Sequence, residues 1–186
     1  MKNITKNAKK VFGGAIYDVY QWEQEMFDGS IATFEKLKRP DTATVIAVVG
    51  DKIILQEQEQ PAKGFFLSLP GGRADKDEKT IDTAKRELLE ETGYSSRDIM
   101  FWKTMHYSST ISWNDDYFIA RDCKHVREEN LDNGEKIKNK LISFDEFVML
   151  SENESFRHRG LSAEILRMRL HPEKLEEFRK LLFNEK

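Results

Sequence analysis

Strands interleaved with helices, without a regular β-α-β alternation, predict a mixed α/β domain preceded by a small N-terminal antiparallel β element. Three observations carry the prediction. Extended runs come in pairs joined by Asp-Gly or Gly-Asp, as in hairpins. One amphipathic segment near the middle closes on a glycine, as helices do. The C-terminal segments carry apolar residues at helical spacing. A chain of 186 residues suits one domain with a small appendage, and 39% hydrophobic residues supply a core despite 34% charged ones. We divide it into an N-terminal hairpin element, residues 1–40, and a main domain, residues 41–186.

Within residues 15–38, two extended runs meet at Phe27-Asp28-Gly29-Ser30, where Asp-Gly tolerates positive φ. After Arg39-Pro40-Asp41 comes a β-branched run over 42–49, a Gly50-Asp51 turn and a strand over 52–56, together a second hairpin. The polar stretch 56–64, with Pro61, reads as a loop, and 65–69 as a short strand stopped by Pro70-Gly71-Gly72. A helix is expected over 80–92, with Gly93 closing it in the left-handed conformation. Strands follow over 99–107, 116–120 and 138–142, the last two separated by an acidic loop, 125–136. Ser143-Phe144-Asp145-Glu146 has capping-box spacing, and helices are expected over 162–170 and 172–183, with Pro172 in the first turn. Ile165, Leu166, Met168 and Leu170 are expected in the core.

Charge and cysteine content exclude several function classes. With 33 acidic residues against 30 basic ones, net -3, the chain lacks the basic excess of a nucleic-acid binder. A single cysteine, Cys123, forms no intrachain disulfide and no all-cysteine metal site, which fits a reducing, cytoplasmic setting. Residues 1–10 are basic, but no signal-peptide apolar core follows, and no apolar run is long enough to span a bilayer. Neither a membrane nor a nucleic-acid partner is expected.

Placed on a helical wheel, Ile81, Ala84, Leu88 and Thr92 form the stripe that faces the core. Glu87, Glu90 and Glu91 lie on the other side, within reach of a common point. Several glutamates on a helix are ordinarily a solvated face. Three of them on one side nevertheless repel one another, and a divalent cation removes that repulsion. Hard oxygen donors in a loose cluster suit magnesium or manganese, with substrate phosphates completing the coordination.

The surroundings of the helix sharpen this reading. Gly72, Glu78 and the run Arg86-Glu87-Leu88-Leu89-Glu90-Glu91-Thr92-Gly93-Tyr94 match the Nudix hydrolase signature at each fixed position, with Tyr94 where the family usually has an aliphatic residue. The resemblance implies a Nudix α/β/α sandwich with a mixed sheet, and metal-dependent hydrolysis of nucleoside diphosphates linked to another moiety. It implies that Glu87 and Glu91 are the principal metal ligands and that Glu90 is a further ligand or positions the water. It further implies that the Gly71 carbonyl is an additional ligand, that Arg86 orients the glutamates and that Glu78 anchors the loop. Gly71 and Gly72 permit the close loop-to-helix approach.

The layout outside the signature is similar to the ADP-ribose and ADP-sugar pyrophosphatase branch. It has an N-terminal hairpin, Leu-Ser-Leu-Pro-Gly-Gly-Arg over 67–73, and Gly134-Glu135-Lys136-Ile137 ahead of the last strand. Where that branch usually carries a proline downstream of the signature, this chain has Ser108-Ser109-Thr110. The branch implies a homodimer through exchanged N-terminal strands and a nucleotide-sugar substrate, ADP-ribose first among them, cleaved to AMP and ribose 5-phosphate. It also implies a loop general base, for which Glu128, Glu129, Asp132 and Glu135 are candidates and Glu135 the first choice. Arg73 is a candidate for substrate binding, and Trp22, Phe27, Tyr107 and Trp113 could stack on a base. The alternatives are a Nudix pyrophosphatase acting on nucleoside triphosphates or dinucleotides, and a non-catalytic module that senses a nucleotide sugar.

Overall fold

A computed structural model describes residues 4–61, 63–131 and 133–184. Strands β1 (Lys9–Gly13), β2 (Asp18–Glu25) and β3 (Ile31–Lys38) are followed by β4 (Thr42–Val49), β5 (Lys52–Gln60), β6 (Gly64–Ser68) and β7 (Gly71–Arg73). Helix α1 (Thr80–Thr92) leads to β8 (Tyr94–Ser95), β9 (Asp98–Met105), β10 (Ile111–Ser112), β11 (Asp115–Arg121), β12 (Lys124–His125) and β13 (Lys136–Ile142). Helix α2 (Phe144–Met149), a 3-10 turn (Leu150–Glu152), α3 (Arg159–Arg169) and α4 (Pro172–Phe183) complete the chain.

The central sheet runs β13-β5-β4-β11-β9 and is mixed: β11 lies parallel to β4 and antiparallel to β9. Alternation along β4 divides the core in two. Val45 and Ala47 face α1 together with Ala43, Ala84 and Leu88. Ile46 and Val48 face the opposite layer, where Phe147, Leu161, Ile165, Phe178 and Leu182 come from the C-terminal helices. The result is the expected α/β/α sandwich. The alanines on the α1 side let that helix approach the sheet closely.

The hairpin of β2 and β3 turns at Asp28-Gly29, with Gly29 at φ 82 and the Asp28 carboxylate accepting from the Ser30 amide. β1 adds to β2 and the short β10 adds parallel to β3, so the N-terminal element is a four-stranded sheet. Neither short strand was expected, because neither has a hairpin turn or an apolar run of its own.

Two expectations are corrected. Residues 56–60 are not loop: β5 continues to Gln60, with β13 on one edge and β6 on the other. The period of two was there, but written in polar residues. Gln56 and Gln58 point inward, while Glu57 and Glu59 point outward to Lys140 and Lys136. The helix α3 buries Ile165, but Leu166 and Leu170 are exposed, Leu170 at 79%, because α3 packs through one stripe only.

β4 and β5 pair only next to their turn, at Val48–Ile53 and Val49–Lys52, and then diverge. β6 takes the edge of β5 and β7 takes the edge of β4, so the sheet forks. Leu69 and Pro70 cross the fork, pinned by the Val45 amide donating to the Pro70 carbonyl (2.8 Å) and by the Leu69 amide donating to His158 Nε2 (3.0 Å). Because Nε2 must accept, the proton of this buried imidazole sits on Nδ1, facing the Tyr117 hydroxyl at 2.7 Å, and burial lowers its pKa to about 4.

Candidate active site

Helix α1 occupies the expected residues, and Gly93 ends it at φ 70 with its amide donating to the Leu89 carbonyl. A Cβ at Gly93 would lie 2.0 Å from the Arg127 carbonyl oxygen, so both conformation and space require glycine. Ala84, Leu88 and Thr92 are buried in the predicted stripe, and Ile81 packs at its edge.

The glutamate side of the helix differs from a solvated face. Glu91 is only 5% exposed, and its carboxylate accepts from the Gly71 amide at 2.9 Å. The wheel placed it opposite the buried stripe, but the fork of the sheet closes over that side as well. Burial pushes its pKa well above the usual carboxylate range. The Gly71 hydrogen bond opposes the shift, and the charges of Glu87 and Glu135 add to it. Glu87 is also raised, first by burial, with Arg86 opposing.

Arg86 organises the remaining carboxylates. Its Nη1 donates to Glu87 (2.9 Å) and Glu90 (3.1 Å), its Nε and Nη2 to Glu78 (3.1 Å each), and Nη2 also to the Arg73 carbonyl. Glu78 further accepts from the Asp75 amide and the Thr83 hydroxyl. The Arg86 hydrogen bonds foremost hold the Glu78 pKa down to about 2, and Glu78 in turn raises that of Arg86. Lysine could not reproduce this fork of donors.

The two glycines before α1 have different reasons to be glycine. Gly71 has φ 153, and a Cβ there would lie 2.2 Å from the Ala43 carbonyl oxygen. A Cβ at Gly72 would lie 2.3 Å from Glu87 Oε1. The first position is closed by backbone, the second by the carboxylate the site uses.

These groups line a cleft of about 810 Å³. Gly71, Gly72, Arg86, Glu87, Glu90 and Glu91 form one side, and Arg39, Lys63, Arg73, Gln60 and Glu135 are also on its wall. Glu135 accepts from Gln60 Nε2 at 3.3 Å. Glu129 accepts instead from Asn139, and Asp132 lies outside the described residues. The aromatic candidates do not line the cleft. Trp22 packs on Phe34 in the N-terminal sheet, and Phe27 stands fully exposed at the hairpin tip. Trp113 stacks on Tyr107, beneath the Arg39 guanidinium at 4.5 Å, while Tyr107 donates to the buried Asp115.

Among the described residues no three His, Cys, Asp or Glu side chains converge into a ready coordination cluster. What fits a divalent cation is the donor chemistry. Glu87 and Glu91 bring hard oxygens at the wall of a polar cleft, with a nearby negative charge from Glu135 that a cation would relieve. Sequence reasoning missed Gln56, Gln58, Gln60, Lys63, Arg39 and Asn139. The one signal was the glutamine alternation itself, Gln56-Glu57-Gln58-Glu59-Gln60, read as loop.

Comparison with known proteins agrees with this geometry. The chain is 28% identical over 158 residues to the ADP-ribose pyrophosphatase of Bacillus subtilis (strain 168), covering 82% of this chain and 83% of that protein. It is 30% identical over 164 residues to an uncharacterized Nudix hydrolase of Schizosaccharomyces pombe, covering 73% and 76%. A solved structure of an ADP compounds hydrolase superposes with a TM-score of 0.71 at 23% identity, over 93% of this chain and 98% of that one. The NUDIX domain profile matches residues 38–165, which include the whole of the glycine turn, α1 and the acidic loop. The chain is therefore a member of the Nudix hydrolase family, whose enzymes work with divalent cations.

Proposed function

We propose that the protein hydrolyses the diphosphate of a nucleoside diphosphate sugar, with ADP-ribose as the substrate and AMP and ribose 5-phosphate as products. The observation that carries the reading is the composition of the cleft. The carboxylates of α1 share its wall with Arg39, Lys63 and Arg73, a combination suited to a diphosphate accompanied by a divalent cation. The likeness to the B. subtilis ADP-ribose pyrophosphatase over most of both chains supports the choice of sugar nucleotide.

In this reading Glu87 and Glu91 hold magnesium or manganese, with the Gly71 carbonyl as a further ligand. A cation bound there would supply charge neutralisation at the phosphate oxygens and a more acidic water. Arg86 keeps Glu87 and Glu90 aimed at the cleft, and Glu90 orients the water. Glu135, held by Gln60, accepts the proton as the water attacks phosphorus and the bridging oxygen leaves with its electron pair. Arg73 and Arg39 bind the diphosphate oxygens.

Two further parts of the reading concern assembly and setting. Phe12, Ile31 and Phe34 are exposed on the N-terminal sheet, at 61%, 61% and 41%, and we assign their cover to a second copy of the chain in a homodimer. The lone thiol, Cys123, is buried, which suits a cytoplasmic setting.

The test is a panel of ADP-ribose, other nucleotide sugars, dinucleotides and nucleoside triphosphates with magnesium, scoring phosphate-ester products. ADP-ribose is expected to be turned over best, and Glu91→Gln to lose about 10³-fold in kcat while remaining folded. Faster turnover of a triphosphate would overturn the substrate. Thermal protection by a nucleotide sugar with no turnover would overturn the enzyme.

A further inference from the structure

On the inner face of β5, three glutamine side chains stand in a row, although apolar residues would fill the same space. Gln56 is fully buried and Gln58 is 5% exposed. Their amides join head to tail. Gln60 Nε2 donates to Gln58 Oε1 (3.5 Å), Gln58 Nε2 to Gln56 Oε1 (2.7 Å), and Gln56 Nε2 to Asn139 Oδ1 (3.3 Å). Asn139 Nδ2 then donates to the backbone carbonyl of Glu91 (2.9 Å) and to the Glu129 carboxylate (3.1 Å).

The direction of this chain is determined at both ends. The Glu91 carbonyl can only accept, so the Asn139 amide nitrogen must face it, and each following amide is oriented in turn. At the other end the Lys63 ammonium can only donate, and it faces Gln60 Oε1. Both constraints give the same orientation, so no amide can flip without leaving a buried group unpaired.

The ends of the chain lie at two parts of the site that are far apart in sequence. Asn139 holds the last turn of α1, where Glu91 sits, and also the acidic loop through Glu129. Gln60 holds Glu135 at 3.3 Å. We propose that Gln56, Gln58, Gln60 and Asn139 are positioning residues that set the spacing between the metal-facing carboxylate of α1 and the loop carboxylate Glu135. The role of Glu135 rests on the proposed function. The positioning of Glu91 does not.

The alternative is that the amides serve only strand register, in which case breaking the chain costs stability and nothing else. Mn2+ binding to the purified protein, followed by electron paramagnetic resonance, separates the two. Gln58→Met and Asn139→Leu are each expected to weaken Mn2+ about tenfold and to lower kcat about tenfold, with KM changed less than about twofold. Because the amides act as a unit, the double variant should be no worse than the poorer single. Gln60→Met, at the half-exposed end, should keep Mn2+ affinity and lower kcat with KM little changed, since Glu135 loses the hydrogen bond that Gln60 supplies. Unchanged Mn2+ affinity in both singles, or losses that multiply in the double, would overturn the proposal. Should Gln58→Met fail to fold, Asn139→Leu and Gln60→Met, both only half-buried in the native protein, still decide it. A wild-type protein that turns over no nucleoside diphosphate compound would sink the proposed function, while the Mn2+ titration would still judge the chain of amides.

Discussion

Around α1, charged side chains find their partners within the chain. Glu78 takes hydrogen bonds from Asp75, Thr83 and Arg86, and Arg86 spans Glu78, Glu87, Glu90 and the Arg73 carbonyl. The N-terminal sheet does the reverse. Its strands β1, β2 and β3 pair along their length, with one register shift between Lys10 and Phe12, yet Phe12, Ile31 and Phe34 are exposed. In the first region the arginine that ties down the turn through Glu78 also holds Glu87 and Glu90, so activity and stability have to be read separately for each substitution. In the second the chain pairs its backbone but leaves large apolar side chains exposed. The same polypeptide thus has a region whose charges are paired internally and a region whose apolar side chains stay exposed.

The sharpest way to break this contrast is Gly72→Ala. The three atoms nearest the new methyl all belong to the end of the flexible Glu87 side chain, which it displaces, so about a 10²-fold loss of kcat is expected with little change in the unfolding midpoint. Equal losses of activity and stability would show that the turn itself had moved.

Next is Glu78→Gln, expected to cost about 2 kcal/mol at pH 7 by urea unfolding, since it leaves Arg86 facing one carboxylate fewer. The sign of its pH dependence follows from a folded pKa lowered to about 2. Its contribution is whole above the ordinary value of 4.5 and is lost as pH falls towards 2. The deficit of the variant should therefore shrink below pH 4.5. A deficit independent of pH would remove the ionic explanation.

Glu91 has the opposite sign. Its folded pKa is raised, so its charge opposes folding at neutral pH, and wild type gains stability from this group as pH falls through the raised value. In chelator, Glu91→Gln should melt about 3 °C above wild type at pH 7, and with Mn2+ the order should reverse. A lower midpoint in chelator would mean that the carboxylate stabilises the fold even without a cation.

The smallest effect within the chain is expected from Phe12→Ser combined with Ile31→Ser, within about 0.5 kcal/mol of wild type, because neither side chain is buried by its own chain. The same variant should shift the sedimentation of a dimer to that of a monomer. A wild-type monomer at micromolar concentration would leave this apolar face without its proposed partner.

The course of α1 was legible because its signals are local. Apolar residues at helical steps mark the stripe, Gly93 closes the helix, and the spacing from Gly72 to Glu91 identifies the family. The capping box at Ser143 was legible for the same reason and is present with both hydrogen bonds. The strand at Gln56–Gln60 was not. Alternation among glutamine and glutamate has no hydrophobic contrast, so it reads as loop until β6 and β13 are laid beside it. Leu166 and Leu170 fit a helical period, but a period does not say how wide the buried stripe will be.

The sequence by itself determined the α/β class, the course of α1 and the glutamates that it carries, because periodicity, caps and turn chemistry act over a few residues. Only the tertiary structure decided that Glu91 is buried, that neither Trp22 nor Trp113 lines the cleft, and that Gln60 and Glu135 meet across 75 residues. Those outcomes depend on the fork between β4 and β5. A fork arises from which strand edges pair, and pairing joins segments whose separation along the chain carries no local signal.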